Sequence, residues 1–168
     1  MIWRAFELRP EPVPTLDPGG EYLRRVWGSS VLPLAERMGM TMKLPPVQPR
    51  SRLAHQAAQW ARGQGRFDEY HAAVFRALFE RGEDIGEIRV LISLASDLGL
   101  DSESLRQTLE TRALEASVIE DERDAEASGI RGVPAFIADR RAAMSGVQSV
   151  ESLRRLIEHV RASGDRQA

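Results

Sequence analysis

The sequence contains no cysteine among its 168 residues. This absence excludes disulfide bonds, thiolate metal sites and cysteine-based redox chemistry within this polypeptide. Histidine is also scarce: its three positions are His55, His71 and His159, and no two of them have the His-x-x-x-His spacing of a metal site. We therefore predict that His55 packs in the core, that His71 lies at the shoulder of its helix and that His159 is solvated. No catalytic or metal-binding residue is predicted in this sequence.

Neither sign of charge dominates, since 23 basic residues face 25 acidic ones and the net charge is -2. This balance gives no electrostatic footprint for nucleic acid or for an anionic membrane. No run approaches the ~20 apolar residues of a membrane-spanning helix, and charged residues near Met1 interrupt the apolar core that a signal peptide needs. We expect no nucleic-acid partner, no membrane partner and a cytoplasmic location.

Helical periodicity dominates the middle of the chain, where glycines end most of the apolar-faced segments. Before this region, large and charged residues alternate from Ile2 to Leu8 and predict a short strand, which Pro10 would end. Ser29 or Ser30 is predicted to cap a separate helix that closes at Gly39. The other predicted helices cover residues 21–27, 51–63, 67–82, 85–99 and 101–129, with a last one from Ser149 onward.

A second strand-forming region follows the helices. It reads Gly-Ile-Arg-Gly-Val-Pro-Ala-Phe from Gly129 to Phe136, and Asp139-Arg140-Arg141 then supplies turn residues. The return segment reads Ala-Ala-Met-Ser-Gly-Val-Gln from Ala142 to Gln148. This pattern predicts a proline-led strand, a hairpin and a final helix.

The order of these motifs resembles the DsbA-like thioredoxin-fold family, in its FrnE-like branch. The resemblance covers nearly the whole chain, from Ile2 to about Val160. The segments that carry it are Trp3–Pro10, Leu53–Gly63, Leu78–Ile85, the Gly-Val-Pro-Ala-Phe motif and Gly146-Val147-Gln148. It implies an α/β thioredoxin-like fold with an all-helical insertion, in which residues 1–17 and 129–168 form the thioredoxin-like subdomain and residues 18–128 the insertion.

Members of the family carry an additional N-terminal strand and helix. That unit holds Cys-x-x-Cys in the oxidoreductases and a serine-type site in the related glutathione-dependent enzymes, so neither reactive residue can be assigned here. The resemblance thus implies an incomplete N-terminal unit, and Met1 is expected not to be the functional start. It also implies unpaired apolar edges at Ile2, Phe6, Phe136 and Ile137, and hence possible self-association through them.

The retained site implied by the resemblance is a substrate groove centred on Gly132, Val133 and Pro134. The Val133–Pro134 bond is expected to be cis, and Val133 is expected to offer backbone hydrogen bonds to a peptide or to glutathione. The alternative is that Pro134 merely begins a strand, a position where proline is tolerated.

Three functions remain open. The chain is a thiol–disulfide oxidoreductase family protein that lacks the catalytic cysteines, a relative of the glutathione-dependent isomerases and transferases, or a non-catalytic peptide-binding protein on the same fold. A protein or peptide thiol is the partner implied by the first. No cofactor is expected, apart from glutathione under the second.

Overall fold

The computed structural model describes residues 1–164. Most of them are helical, in α1 Glu21–Val26, α2 Leu32–Arg37, α3 Arg52–Gly63, α4 Phe67–Arg76, α5 Ile88–Asp97, α6 Ser102–Glu110, α7 Glu115–Ala127 and α8 Val150–Gly164. Two π-helical segments, Trp27–Val31 and Ala77–Arg81, continue α1 and α4. The strands β1 Ala135–Ala138 and β2 Ala142–Ser145 pair antiparallel as one hairpin.

The chain divides into two compact units. One contains residues 1–8 together with the chain from Glu120 onward, and the other contains Arg9–Ile119. These limits differ from the subdomain boundaries predicted after residues 17 and 128. The predicted boundaries separate a thioredoxin-like subdomain from a helical insertion, which is a different division from one into compact units. They therefore stay a prediction.

The core of the helical unit is built from α3, α4, α5 and α6, which pack on one another. Tyr70, Leu91, Leu105 and Leu109 are almost completely buried there. The hydroxyl of Tyr70 donates a hydrogen bond to the Leu91 carbonyl at 2.8 Å, and the Trp60 ring meets the Tyr70 ring edge-on. The apolar faces predicted for these helices therefore make one continuous core.

The strand predicted at Ile2–Leu8 is wrong for the described chain, whose sheet has two strands, β1 and β2. A side chain holds the segment instead. The carboxylate of Asp121 on α7 accepts the Ala5 backbone N–H at 2.9 Å and the Arg4 guanidinium at 2.6 Å. Alternation makes a segment suitable for a sheet, but a strand forms only when another strand supplies the hydrogen-bonding partners.

The helix cap predicted at Ser29 or Ser30 is also wrong, because the helix runs through both residues as the π-helical segment Trp27–Val31. This wider turn lies directly before Pro33 in α2. Proline lacks an N–H and its ring collides with the carbonyl four residues earlier, so a widened turn lets the helix continue past it. Gly39, with φ of 65°, follows the helix end as predicted.

The helical segment predicted over residues 101–129 begins as expected and is then interrupted. The Asp101 carboxylate accepts the N–H groups of Glu103 and Ser104 at 3.1 and 3.0 Å, which caps α6. A turn then separates α6 from α7, with Arg112 at a φ of 53°. Apolar periodicity continues across this break, so it could not reveal the turn.

Candidate functional site

The hairpin places the predicted groove residues at the entrance to β1. Phe136 lies opposite Met144 and Ala135 opposite Ser145, and the Gly146 N–H donates to the Pro134 carbonyl at 2.8 Å. The turn closes with a hydrogen bond from the Arg141 N–H to the Ala138 carbonyl at 3.0 Å. The predicted strand, turn and return strand are thus confirmed.

Within the groove segment, the Val133–Pro134 bond is cis, which confirms the expected geometry. Val133 is 49% exposed. Among residues 1–164, neither its N–H nor its C=O has a hydrogen-bond partner. A Cβ built on the preceding Gly132 would meet no atom within 4 Å, so the space beside this peptide group is open. Val133 therefore presents one donor and one acceptor to whatever binds there.

The outer edge of β1 continues this hydrogen-bonding surface. In an antiparallel pair, alternate residues direct their N–H and C=O groups toward the neighbouring strand. The bond between Gly146 and Pro134 fixes the alternation, so Phe136 and Ala138 bond toward β2. The backbone groups of Ala135 and Ile137 face the opposite edge, which pairs with no strand in the described part of the chain. We refer to these groups, together with the unpaired peptide group of Val133, as the open row.

Two charged residues lie near this row, and both are exposed. Arg131 precedes the groove and Asp139 follows β1 in the turn. Neither makes an ion pair or side-chain hydrogen bond within residues 1–164. In the sequence these two residues stand out only as part of a glycine-rich loop and a turn, and the predicted groove did not include them. The predicted groove also left out Ala135 and Ile137, although the alternation of the strand was the signal that could have identified their outward-facing backbone groups.

The histidines lie outside this segment. His71 stacks on Phe67 at 4.8 Å and meets the edge of Phe75 at 4.8 Å. Burial lowers the pKa of His71, and the nearby positive charge of His55 lowers it further. The residues that the structure describes contain no cluster of three or more histidine, aspartate or glutamate side chains able to hold a metal ion.

No described helix is both long enough and apolar enough to cross a membrane. This finding concerns residues 1–164 alone.

Comparisons with known proteins bear on the fold of this chain. The family model for the DSBA-like thioredoxin domain matches residues 1–158. The uncharacterized protein YwbO of Bacillus subtilis (strain 168) is 36% identical over 139 residues, which cover 80% of this chain and 70% of that protein. The crystal structure of a probable DsbA oxidoreductase from Streptomyces coelicolor superposes with a TM-score of 0.74 at 24% identity, covering 93% of this chain and 73% of that one. The thioredoxin-like fold class implied by the sequence motifs is thereby confirmed.

Proposed function

Since the chain belongs to the family of DSBA-like thioredoxin domains, we propose that it serves as the polypeptide-binding scaffold of a DsbA-like thiol–disulfide oxidoreductase. The bound segment lies extended along the open row of Val133, Ala135 and Ile137. The observation that carries this proposal is that Val133 is half-exposed and that its N–H and C=O have no hydrogen-bond partner among residues 1–164.

Strand addition is the binding mode that this surface fits. An extended peptide beside an open sheet edge receives main-chain hydrogen bonds along its length, and alternate side chains enter whatever pockets the face provides. The side chains of Val133 and Ile137 are both exposed. A bound segment would therefore find backbone partners along the edge and exposed apolar side chains beside it.

The chain itself contributes no thiol chemistry under this proposal. Disulfide exchange requires a thiolate nucleophile, and the 168 residues contain no cysteine. A cysteine-bearing protein or peptide would be bound here but neither oxidised nor reduced by this polypeptide. Catalytic residues are accordingly absent from the proposal, and no cofactor is part of it.

Glutathione is the second candidate for the same groove, because its peptide groups can pair with Val133 as a longer peptide would. It is too short to reach along the whole row as far as Ile137. The two ligands are therefore distinguished by how many residues of the row each one contacts. The FrnE-like branch and the absence of an N-terminal strand and helix stay predictions.

The test is a titration of the ¹⁵N-labelled chain followed by amide chemical shifts, with S-alkylated insulin B chain as the extended peptide probe. We expect saturable shifts at the amides of Val133, Ala135 and Ile137. Glutathione, titrated separately, would shift Val133 alone if it is the preferred ligand. An absence of saturable shifts at Val133 with either probe would contradict the proposal.

A matched pair of proline substitutions identifies the edge used. Ile137→Pro removes the outward N–H of β1, whereas Ala143→Pro removes an outward N–H from the other edge of the same hairpin. Proline is tolerated where the missing N–H faces away from the neighbouring strand. We expect Ile137→Pro to weaken binding of the insulin B chain and Ala143→Pro to leave it unchanged. Equal effects would assign the peptide to a different surface.

A further inference from the structure

Three of the five methionines of this chain lie within five consecutive residues, Met38-Gly39-Met40-Thr41-Met42. We call these residues the methionine segment. It directly follows α2 and contains no helical or strand residue. The side chains of Met38 and Met40 are 59% and 52% exposed, and Met42 is half-buried. Methionine usually fills gaps in a core, a role that two side chains more than half exposed do not perform.

The backbone of the methionine segment is held on both sides. At its start, the Met40 N–H donates to the Ala35 carbonyl at 2.9 Å, across a turn in which Gly39 has a φ of 65°. This is the glycine-centred arrangement that commonly ends a helix. Just after the segment, the Lys43 N–H donates to the Phe79 carbonyl at 2.7 Å. The three methionines are therefore presented from an anchored stretch of the helical unit.

We propose that the thioether sulfurs of Met38, Met40 and Met42 together bind one Cu(I) ion. Soft thioether ligands select Cu(I), whereas carboxylate, carbonyl and water ligands suit magnesium, calcium and manganese. A thioether is a different ligand from the thiolates and histidine pairs that the sequence lacks. The inference is independent of the proposed function, because the methionine segment belongs to the unit Arg9–Ile119 and the open row to the other unit.

The spacing of the three residues allows their sulfurs to reach one ion. An extended chain advances at most about 3.6 Å per residue, so the Cα atoms of successive methionines in this segment are at most about 7 Å apart. Each methionine side chain has three rotatable bonds, which lets the sulfurs converge. A Cβ built on Gly39 would meet no atom within 4 Å, so the space beside the first two methionines is open.

The chemistry of the ligands gives this site a distinctive pH dependence. Histidine must lose a proton before it binds a metal, so the affinity of a histidine site falls in acid. A thioether has no proton to lose. Binding by the methionine segment should therefore be equally tight at about pH 7.5 and about pH 5.5, values on either side of the ordinary pKa of histidine. The charged neighbours Glu36, Arg37 and Lys43 are exposed, and none of these side-chain types ordinarily titrates in that range.

The test is a titration of the chain, labelled with ¹³C at the methionine methyl groups, with Cu(I) kept reduced by ascorbate in the absence of oxygen. We expect the methyl signals of Met38, Met40 and Met42 to shift together and to saturate at one equivalent, at both pH values. The signal of Met144, in β2, should stay in place. Zn(II), titrated separately, should leave the three signals unshifted, because zinc is bound by thiolate, imidazole and carboxylate ligands.

Substitution by leucine removes each sulfur while nearly conserving side-chain volume. Mutation of residues that merely orient a metal ligand typically costs about 10–100-fold in affinity. Met38→Leu and Met40→Leu, which each remove a ligand itself, should therefore raise the Cu(I) dissociation constant by at least about tenfold. The triple variant Met38→Leu, Met40→Leu, Met42→Leu should lose binding in competition with a chromophoric Cu(I) chelator. Met144→Leu is the matched control and should bind as the unchanged chain does, with circular dichroism verifying the fold of every variant.

Four results would overturn the inference. They are an absence of saturable shifts at the three methyl groups, an equal shift at Met144, a clear loss of affinity at the lower pH, and a triple variant that binds Cu(I) as tightly as the unchanged chain. The last two results would assign the ion to ligands that titrate, such as the histidines. Because the insulin B chain titration follows amides of the open row, failure of either proposal is recognised separately.

Discussion

The carboxylate of Asp121 receives the guanidinium of Arg4 at 2.6 Å, although Asp121 is only 4% exposed and Arg4 is 56% exposed. The same carboxylate accepts the buried Ala5 N–H at 2.9 Å. Asp121 therefore bonds to both a side chain and a backbone group of the N-terminal segment. The ion pair reaches solvent on the arginine side, whereas the backbone group has no access to water.

Replacing Asp121 should release this segment more than replacing Arg4. Asp121→Ala leaves the Ala5 N–H buried and unpaired, which costs about 1–3 kcal/mol. Arg4→Ala removes an ion pair that is exposed only on the arginine side and leaves the Ala5 N–H bonded to Asp121, so it should cost less. Amide hydrogen exchange at Ala5 provides the measurement, and it should accelerate markedly in the first variant only. Similar acceleration of exchange in both variants would show that the ion pair, rather than the backbone bond to Ala5, holds this segment in place.

The hydroxyl of Tyr70 should contribute less to stability than its ring. Burial raises the pKa of Tyr70, so the phenol stays protonated and donates to Leu91. Tyr70→Phe should lower the free energy of unfolding by about 1 kcal/mol. Tyr70→Leu also removes the edge-on contact with Trp60 and should cost more. Urea denaturation of both variants measures the loss in the free energy of unfolding. An equal loss in the two variants would mean that only the hydroxyl of Tyr70 contributes to stability.

Gln56 offers a stabilising substitution. Its side chain is completely buried, and neither amide atom has a hydrogen-bond partner among residues 1–164. Gln56→Met keeps the length of the side chain and removes the unpaired polar atoms, so it should raise the free energy of unfolding by about 1–3 kcal/mol. Gln107→Met, at an exposed position, is the control and should change it by less than about 0.5 kcal/mol. A fall in stability on replacing Gln56 would contradict the prediction.

His71 should make the chain sensitive to mild acid. Burial and the charges of His55 and Arg62 lower its pKa in the folded state, against a smaller opposing effect of Asp68. The unfolded chain therefore binds the proton more strongly, so this contribution to stability is full above about pH 6.5 and decreases as the pH falls toward the lowered pKa. Thermal unfolding should show His71→Gln with a flatter pH dependence, while the exposed His159→Gln variant matches the unchanged chain. Parallel profiles for all three proteins would rule out His71 as the cause.

The polypeptide should not catalyse disulfide exchange. Insulin reduction by dithiothreitol, followed by turbidity, should proceed at the uncatalysed rate when the chain is added, because the chain has no sulfur nucleophile. Thioredoxin serves as the positive control in the same assay. Acceleration by a sample of verified mass would refute the prediction.

The sequence by itself determined the turns and the helix ends of this protein. The turn at Asp139-Arg140-Arg141, the Asp101 cap and the glycine ends of the helices depend on residues within a few positions of one another, so their patterns could be interpreted directly. Helix N-capping by Ser149 is another example, since its hydroxyl accepts the Ser152 N–H at 3.0 Å. The absence of cysteine likewise needed no structure, because composition alone removes the thiolate.

Tertiary structure decided the features that depend on distant partners. Ile2–Leu8 has the alternation of a strand, yet Asp121, more than a hundred residues away, determines how Ala5 is bonded. The same holds for the groove, where the sequence marked Val133 and Pro134 but could not show that the Val133 peptide group stays unpaired or that Ile137 extends the open edge. Hydrogen bonding and burial are properties of neighbours in space, and a periodic pattern along the chain specifies which face a residue occupies without specifying what will lie against it.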